Sequence, residues 1–106
     1  MKIAIPAAGD NIKSRVSDRL GRSSYIIIYD TESKKDVSYA NPGKNLQDGS
    51  GLKAVNLIIN SGADMLLSME VGMKAYSVLS RAHIDIHLLK TVSSVEKAVK
   101  NFLKNK

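Results

Sequence analysis

Two arginines frame a glycine turn in the sequence SDRLGR, residues 17–22, directly before the apolar run YIIIY. The guanidinium groups of Arg19 and Arg22 carry fixed positive charges and planar sets of donors, which suit carboxylate, phosphate and other anions. Because Gly21 keeps the two arginines close in the chain, the pair predicts an anion site between them. The alternative left open by the sequence is that the two side chains point apart into solvent.

Two further glycine turns precede predicted helices and supply backbone N–H donors. The sequence DGSG, residues 48–51, leads into the first helix, and VG, residues 71–72, leads into the second. Amides at a helix N-terminus attract anions because they lack partners within the helix. The candidate binding residues in these turns are Gly49, Ser50, Gly51 and Gly72. A structural interpretation remains open, in which Asp48 or Ser50 caps the first helix and the glycines serve only the turns.

Other kinds of site find little support in the sequence. The chain has no cysteine, which excludes disulfides, thiolate-held metals and a cysteine-anchored iron–sulfur cluster. Two-metal hydrolysis needs converging carboxylates, and the first predicted strand has none. His83 and His87 are predicted on different elements, and Met65 is predicted to pack in the core. The sequence therefore predicts no catalytic residue, no metal-ligating side chain and no enzymatic activity.

The composition predicts one domain, residues 1–106, with an anionic partner. The chain carries 16 Lys and Arg against 10 Asp and Glu, a net charge of +6, and is 43% hydrophobic. Such a charge suits nucleic acid, phosphate or a polyanionic cofactor, and it also suits plain solubility. With only four Tyr and one Phe, a base-stacking platform is poorly supported, which argues against nucleic acid. No apolar run approaches the ~20 residues that span a bilayer, so we expect a cytoplasmic protein without membrane contact.

Hydrophobic periodicity predicts the element order β-β-β-α-β-α-β-α. The strands are predicted at residues 2–6, 24–30, 36–40, 64–68 and 84–89. The helices are predicted at residues 50–60 and 72–82 and from a capping box at residues 93–96 onward. The residues predicted to face the core are Leu52, Val55, Ile58 and Ile59 in the first helix, and Ala75, Val78, Leu79 and Ala82 in the second.

This order predicts an α/β fold with a mixed five-stranded sheet and three helices. A hairpin opens the chain and right-handed β-α-β crossovers close it, which gives the strand order 3-2-1-4-5 with strand 2 antiparallel. This is the layout of a ribonuclease-H-like motif. Ligands of such sheets bind outside the carboxyl ends of the parallel strands. Here that edge comprises the loop after Pro6, residues 68–72, residues 89–93 and any loop that reaches them.

The motifs, in this order and spacing, resemble the dinitrogenase iron-molybdenum cofactor biosynthesis family. These small domains are related to carrier proteins of nitrogenase cofactor assembly and to the C-terminal part of the cofactor-precursor synthase. The family's Ser-x-His-Phe-Gly-Arg stretch is matched by SDRLGR at residues 17–22 and its Gly-x-Gly by GSG at residues 49–51. Its glycine-rich turn is matched by SMEVG at residues 68–72, followed by MKAYSVLSRAHIDIHL. The similarity extends from Met1 to about residue 103.

The resemblance implies a ribonuclease-H-like fold and a non-catalytic carrier or chaperone of an anionic iron–sulfur or iron–molybdenum cluster. The groove for this cluster lies at the strand ends, and cofactor-assembly proteins are the implied partners. Four residues depart from the family pattern: Arg19 replaces its histidine, Leu20 its phenylalanine, Asp48 a second histidine, and Glu70 enters the glycine turn. Because arginine has no lone pair to offer a metal, we expect charge and backbone amides to hold the ligand. The alternative is a protein-interaction or regulatory module with a decayed cluster site.

Overall fold

The computed structural model describes residues 1–46 and 49–105. The strands are β1 (Lys2–Ala7), β2 (Tyr25–Asp30), β3 (Asp36–Ala40), β4 (Met65–Ser68) and β5 (Asp85–Leu88). The helices are α1 (Ser50–Asn60), α2 (Met73–Arg81) and α3 (Val95–Lys104). The predicted element order is confirmed, with most bounds shifted by a residue or so. In the described parts of the chain, none of the helices combines the length and apolar character needed to cross a membrane.

The strands form one mixed sheet in the order β3-β2-β1-β4-β5. β2 runs antiparallel to β1 and β3, whereas β1, β4 and β5 are parallel. The central strand is buried from Ile3 to Ala7, because it is paired on both edges and covered on both faces. The predicted strand order and the antiparallel direction of strand 2 are confirmed.

Two apolar layers cover the sheet, one on each face. On the first face, Ile26 and Ile28 belong to one core cluster with residues of α1 and α2, including Val55, Ile58 and Leu79. On the second face, Ile27 of β2 belongs to another cluster, together with the buried side of α3. The α3 residues in it are Val95, Ala98 and Val99. Alternating side chains of one strand thus divide the molecule into an α1/α2 layer and an α3 layer.

Two predicted core positions on the helices are wrong. Leu52 lies in the first turn of α1 and is exposed, because this turn borders a cleft rather than the sheet. Ala82 is exposed because α2 ends at Arg81 and the chain reverses at His83, whose φ is 61°. Both errors fall at helix ends, where apolar periodicity continues but the backbone leaves the core.

The capping box predicted at residues 93–96 is displaced by one residue. Ser94, not Ser93, is the N-cap of α3, and its hydroxyl accepts a hydrogen bond from the Lys97 amide at 3.2 Å. The Glu96 carboxylate does not reach back to the cap; it pairs with Lys13 Nζ at 3.4 Å. The N3 position is a lysine, so this helix has the serine half of the motif without the glutamate half.

The displacement follows from the loop after β1, which crosses the amino end of α3. The amides of Val95 and Glu96 donate to the carbonyl oxygens of Ser14 and Ile12, each at 2.8 Å. Backbone bridges fix the loop further, one of them between Ala7 and residue 16. The first turn of α3 is therefore occupied by main-chain acceptors from the first part of the loop after β1, residues 12–14.

Candidate functional site

A cleft of about 710 Å³ opens on the α1/α2 layer, between the turn at residues 19–22 and the first turns of α1 and α2. The seven binding residues predicted from sequence all line it: Arg19, Gly21, Arg22, Gly49, Ser50, Gly51 and Gly72. Of the predicted ligand edge, the segment after β4 contributes Glu70 and Gly72, and the loop after β1 contributes its later part, residues 19–22. Residues 8–18 of that loop and residues 89–93 are not part of the lining.

Glycine occupies the N-cap of both helices that begin at the cleft. Gly49 caps α1 and Gly72 caps α2, and neither carries a side chain that could accept from the helix amides. The alternative interpretation in which Ser50 caps α1 does not hold, because Ser50 is the first helical residue; Asp48, the other candidate cap, lies outside the described residues. α3, whose start lies away from the cleft, has its serine cap. The amino ends of α1 and α2 thus present to one cavity their positive dipole ends and N–H groups that no side-chain cap among the described residues satisfies.

Gly21 allows the arginine turn to approach the start of α1 closely. A Cβ atom added there would lie 2.9 Å from the Gly51 amide nitrogen and 2.8 Å from Ser50 Oγ. Both distances are too short for carbon, so any larger residue would push the turn away from the helix. The spacing of Arg19 and Arg22 around a glycine is thereby explained by packing, before any ligand is considered.

Of the three other glycines in the cleft lining, one has a backbone conformation that requires glycine and two do not. Gly49 has a φ of +76°, a left-handed conformation that favours glycine. Gly72 has φ −65° and ψ 157°, which any residue adopts, and no atom lies within 4 Å of an added Cβ. An added Cβ on Gly51 would make only an ordinary 3.9 Å contact with Ala75. The missing side chains of Gly51 and Gly72 keep the cleft open rather than relieve strain.

The two arginines have different surroundings. Arg22 donates from Nη1 to the carbonyl oxygen of Lys44, at 3.3 Å, and to that of Leu46. These bonds tie the turn to the loop that follows β3. Arg19 is exposed in the cleft lining, and no hydrogen bond or ion pair joins its guanidinium to the described residues. The predicted pair is therefore one anchored arginine and one cation available to a ligand.

Asn41 is a residue that the sequence analysis treated only as the end of β3. Its side chain is buried, and Nδ2 donates to the carbonyl oxygens of Leu20, at 3.1 Å, and Ser23, at 3.0 Å. Its Oδ1 accepts from the Gly43 amide at 3.0 Å. One amide group thus fixes the arginine turn on one side and the following loop on the other. The only signal in the sequence was an asparagine before Pro-Gly, and this pattern does not reveal that the side chain is buried.

The charges on the cleft wall are mixed, with an excess of cations. Arg19 and Lys74 line the cleft together with one carboxylate of the described residues, that of Glu70. Met73 is 91% exposed at the rim, so its thioether is not part of the core. Among the described residues, no group of three or more His, Asp or Glu side chains could hold a metal ion. The wall can therefore attract an anion by charge and by amide hydrogen bonds.

The comparisons with known proteins agree with this architecture. The orange protein of Desulfovibrio gigas, in its apo form, superimposes with a TM-score of 0.91 at 30% identity, covering 98% of this chain and 88% of that one. A putative NifB protein from Thermotoga superimposes with a TM-score of 0.84 at 32% identity, covering 97% and 87%. An uncharacterized protein of Methanocaldococcus jannaschii is 33% identical over 109 residues, covering 100% of this chain and 88% of the relative. The family model for dinitrogenase iron-molybdenum cofactor matches residues 1–105. The chain therefore belongs to the dinitrogenase iron-molybdenum cofactor family.

Proposed function

We propose that this protein is a non-catalytic carrier domain whose cleft binds an anionic ligand, an iron–sulfur or iron–molybdenum cluster precursor. Its partners are the cytoplasmic cofactor-assembly proteins that supply and receive this cargo. The observation that carries the proposal is the convergence of two glycine-capped helix ends, those of α1 and α2, on one cleft that also contains Arg19. The strand order supports assigning the fold to the ribonuclease-H-like motif.

Binding by charge and amides suits a carrier better than direct metal ligation. Arg19 cannot donate a lone pair to a metal, and the chain has no cysteine. In this proposal the metal of the cargo is therefore bonded neither to an arginine nor to a thiolate. Charge-assisted hydrogen bonds to amides and a guanidinium are strong enough to hold an anion and can be exchanged without ligand substitution. The cleft volume of about 710 Å³ lies within the usual range for small-molecule sites, roughly 300–1,000 Å³.

Anaerobic equilibrium dialysis tests the proposal with three probes: isolated iron-molybdenum cofactor, molybdate and sulfate. Bound metal is measured by elemental analysis for the cofactor and molybdate, and bound sulfate is measured with a radioactive sulfur label. We expect Arg19→Gln to weaken binding of the cofactor about tenfold, which corresponds to about 1.4 kcal/mol. Arg15→Gln is the matched control, because Arg15 is an exposed arginine outside the cleft lining.

The dialysis result can overturn the proposal in two ways. If wild-type protein retains none of the three probes, the cleft is not an anion site. If Arg15→Gln and Arg19→Gln weaken binding equally, the affinity depends on the net charge of the protein alone, and the cleft is not the binding site. Retention of the cofactor with loss only in Arg19→Gln supports the carrier function.

A second candidate function is a protein-interaction or regulatory module with a decayed cluster site. It is favoured by the apolar rim of the cleft, where Met73 is 91% exposed and Leu52 is also exposed. Met73→Glu would then abolish capture of a partner in an anaerobic pull-down, both with and without added cluster. A partner captured only when cluster is supplied contradicts this second candidate and favours the carrier.

A further inference from the structure

β3 forms one edge of the sheet and has apolar side chains that the described residues cover only in part. It pairs with β2 on one side only. Val37 is 52% exposed and Tyr39 is 41% exposed. They lie in register with Ile28 and Ile26, so both side chains project on the α1/α2 face of the sheet, beyond the helices.

The hydrogen-bond pattern of the hairpin determines which β3 amides face outward. The Asn41 amide donates to the Ser24 carbonyl at 3.0 Å, and the Asp30 amide donates to the Lys35 carbonyl at 2.9 Å. Hydrogen-bonded pairs alternate along an antiparallel ladder, so Val37 and Tyr39 direct their main-chain groups toward β2. The alternate residues of β3 direct their main-chain N–H and C=O groups away from the sheet. These residues are Asp36, Ser38 and Ala40.

We propose that β3 pairs with β3 of a second copy of this chain, antiparallel and centred on Ser38. In this register Ser38 meets its own counterpart, and Asp36 meets the second copy's Ala40. These are the residues whose amides face outward, so the pairs that they form across the junction are hydrogen-bonded pairs. The two five-stranded sheets become one continuous sheet across a two-fold axis.

The same register is self-complementary in its side chains. Val37 falls opposite the second copy's Tyr39, and the reverse pair forms across the axis. These positions are non-hydrogen-bonded pairs, in which side chains approach most closely, and an aromatic residue beside a β-branched one is a favourable cross-strand pair. Both apolar side chains of each copy are thereby covered on one face.

The charges around β3 permit this pairing. Lys35 falls opposite the second copy's Asn41, which keeps the lysines of the two hairpins at opposite ends of the junction. β3 itself contains neither proline nor lysine, the residues with which exposed edges are commonly protected. The other edge of the sheet, β5, has Asp85 and His87 along one face and lacks this symmetry.

Cysteine cross-linking tests the register directly, because the native chain contains no cysteine. Hydrogen-bonded residues of an antiparallel pair have Cα atoms about 5.5 Å apart, within the range that a disulfide spans. Oxidation of Ser38→Cys should therefore give covalent dimers in high yield. Asp36→Cys is the matched control, since the two copies of residue 36 would lie more than about 13 Å apart along the strands. Equal cross-linking of both variants, or of neither, overturns the proposal.

Sedimentation velocity of the cysteine-free protein provides the second measurement. We expect wild-type protein to show a concentration-dependent dimer, and Tyr39→Lys to shift its dissociation constant at least tenfold toward monomer. Leu88→Lys is the control, because Leu88 is 50% exposed on the opposite edge of the sheet. Wild-type protein that remains monomeric throughout, or a dimer weakened equally by both substitutions, contradicts pairing through β3.

Discussion

The buried side chain of Asn41 donates from Nδ2 to the main-chain oxygen of Leu20, at 3.1 Å. These two residues are far apart in sequence, and their bond joins the end of β3 to the turn that carries Arg19. The cleft wall therefore depends on a residue that does not itself line the cleft. Removing this amide should loosen the turn without changing any charge.

Asn41→Ala should lower the free energy of unfolding by about 1–3 kcal/mol, because it leaves buried carbonyl oxygens without donors. Urea denaturation measures the change. Asn45→Ala is the control, since Asn45 is exposed in the same loop, and it should change stability by less than about 0.5 kcal/mol. Equal effects of the two substitutions would show that the Asn41 side chain does not support the turn.

Arg22→Ala should also destabilise the fold, by about 1 kcal/mol, because the guanidinium bonds to the carbonyl oxygens of Lys44 and Leu46 are lost. Arg19→Ala should leave the urea midpoint almost unchanged while it weakens anion binding. Denaturation and dialysis of the same two proteins separate these roles. A larger loss of stability in Arg19→Ala would contradict the assignment of Arg22 as the anchored arginine.

The cleft glycines allow binding to be separated from folding. Gly51→Ala should retain or slightly raise stability, by up to about 0.5 kcal/mol, since alanine is the better helix former and its methyl meets only Ala75. The added methyl should nevertheless weaken cofactor retention by narrowing the cleft. Gly49→Ala should instead cost about 1–2 kcal/mol through its left-handed φ. Unimpaired retention in Gly51→Ala, measured by the same dialysis, would place the ligand elsewhere.

Glu70→Gln should strengthen anion binding several-fold, because it removes a carboxylate from the cleft lining without changing the size of the side chain. The gain should shrink as salt is added, since the charges are exposed and screened. Dialysis at low and at physiological ionic strength measures both effects. Glu32→Gln is the control for net charge, because Glu32 lies in the β2–β3 turn away from the cleft.

Asp30 should contribute pH-dependent stability to the hairpin that presents β3. Its pKa is held below the usual 3.8, first by the hydrogen bond from the Glu32 amide, at 2.9 Å, and further by the Ser33 amide and nearby positive charges. A lowered pKa means that the folded state favours the carboxylate. The stabilisation is therefore present above pH 3.8 and is lost as the pH falls through the folded-state pKa. Thermal unfolding of wild type and Asp30→Asn should differ at neutral pH and converge in acid, and a constant difference would contradict this.

The sequence predicted the elements well because their apolar patterns are strong and their ends are marked. β3 and α1 have the predicted bounds. Connection rules then left few ways to order the strands. The helix ends were less predictable, because a neighbouring loop can supply acceptors that no local motif reveals, as the displaced cap at Ser94 shows.

The sequence predicted which residues line the candidate site, but not the separate role of each residue. The glycine turns and the arginines were visible because glycine and arginine are distinctive and regularly spaced. That Arg22 would bond to the carbonyls of Lys44 and Leu46 depends on a contact between separate loops. The role of Asn41 depends on burial. Neither property is encoded within a short window of sequence.

The central position of β1 has a consequence for synthesis on the ribosome. The first three strands can pair as they emerge, because β2 meets β1, and β3 meets β2, soon after it is made. The second edge of β1, from Ile3 to Ala4, is completed only by Met65 and Leu66 of β4. Until that segment leaves the exit tunnel, a nascent chain carries an apolar strand with an open edge. The open edge of β1 is therefore a property of the nascent chain that the folded protein does not share.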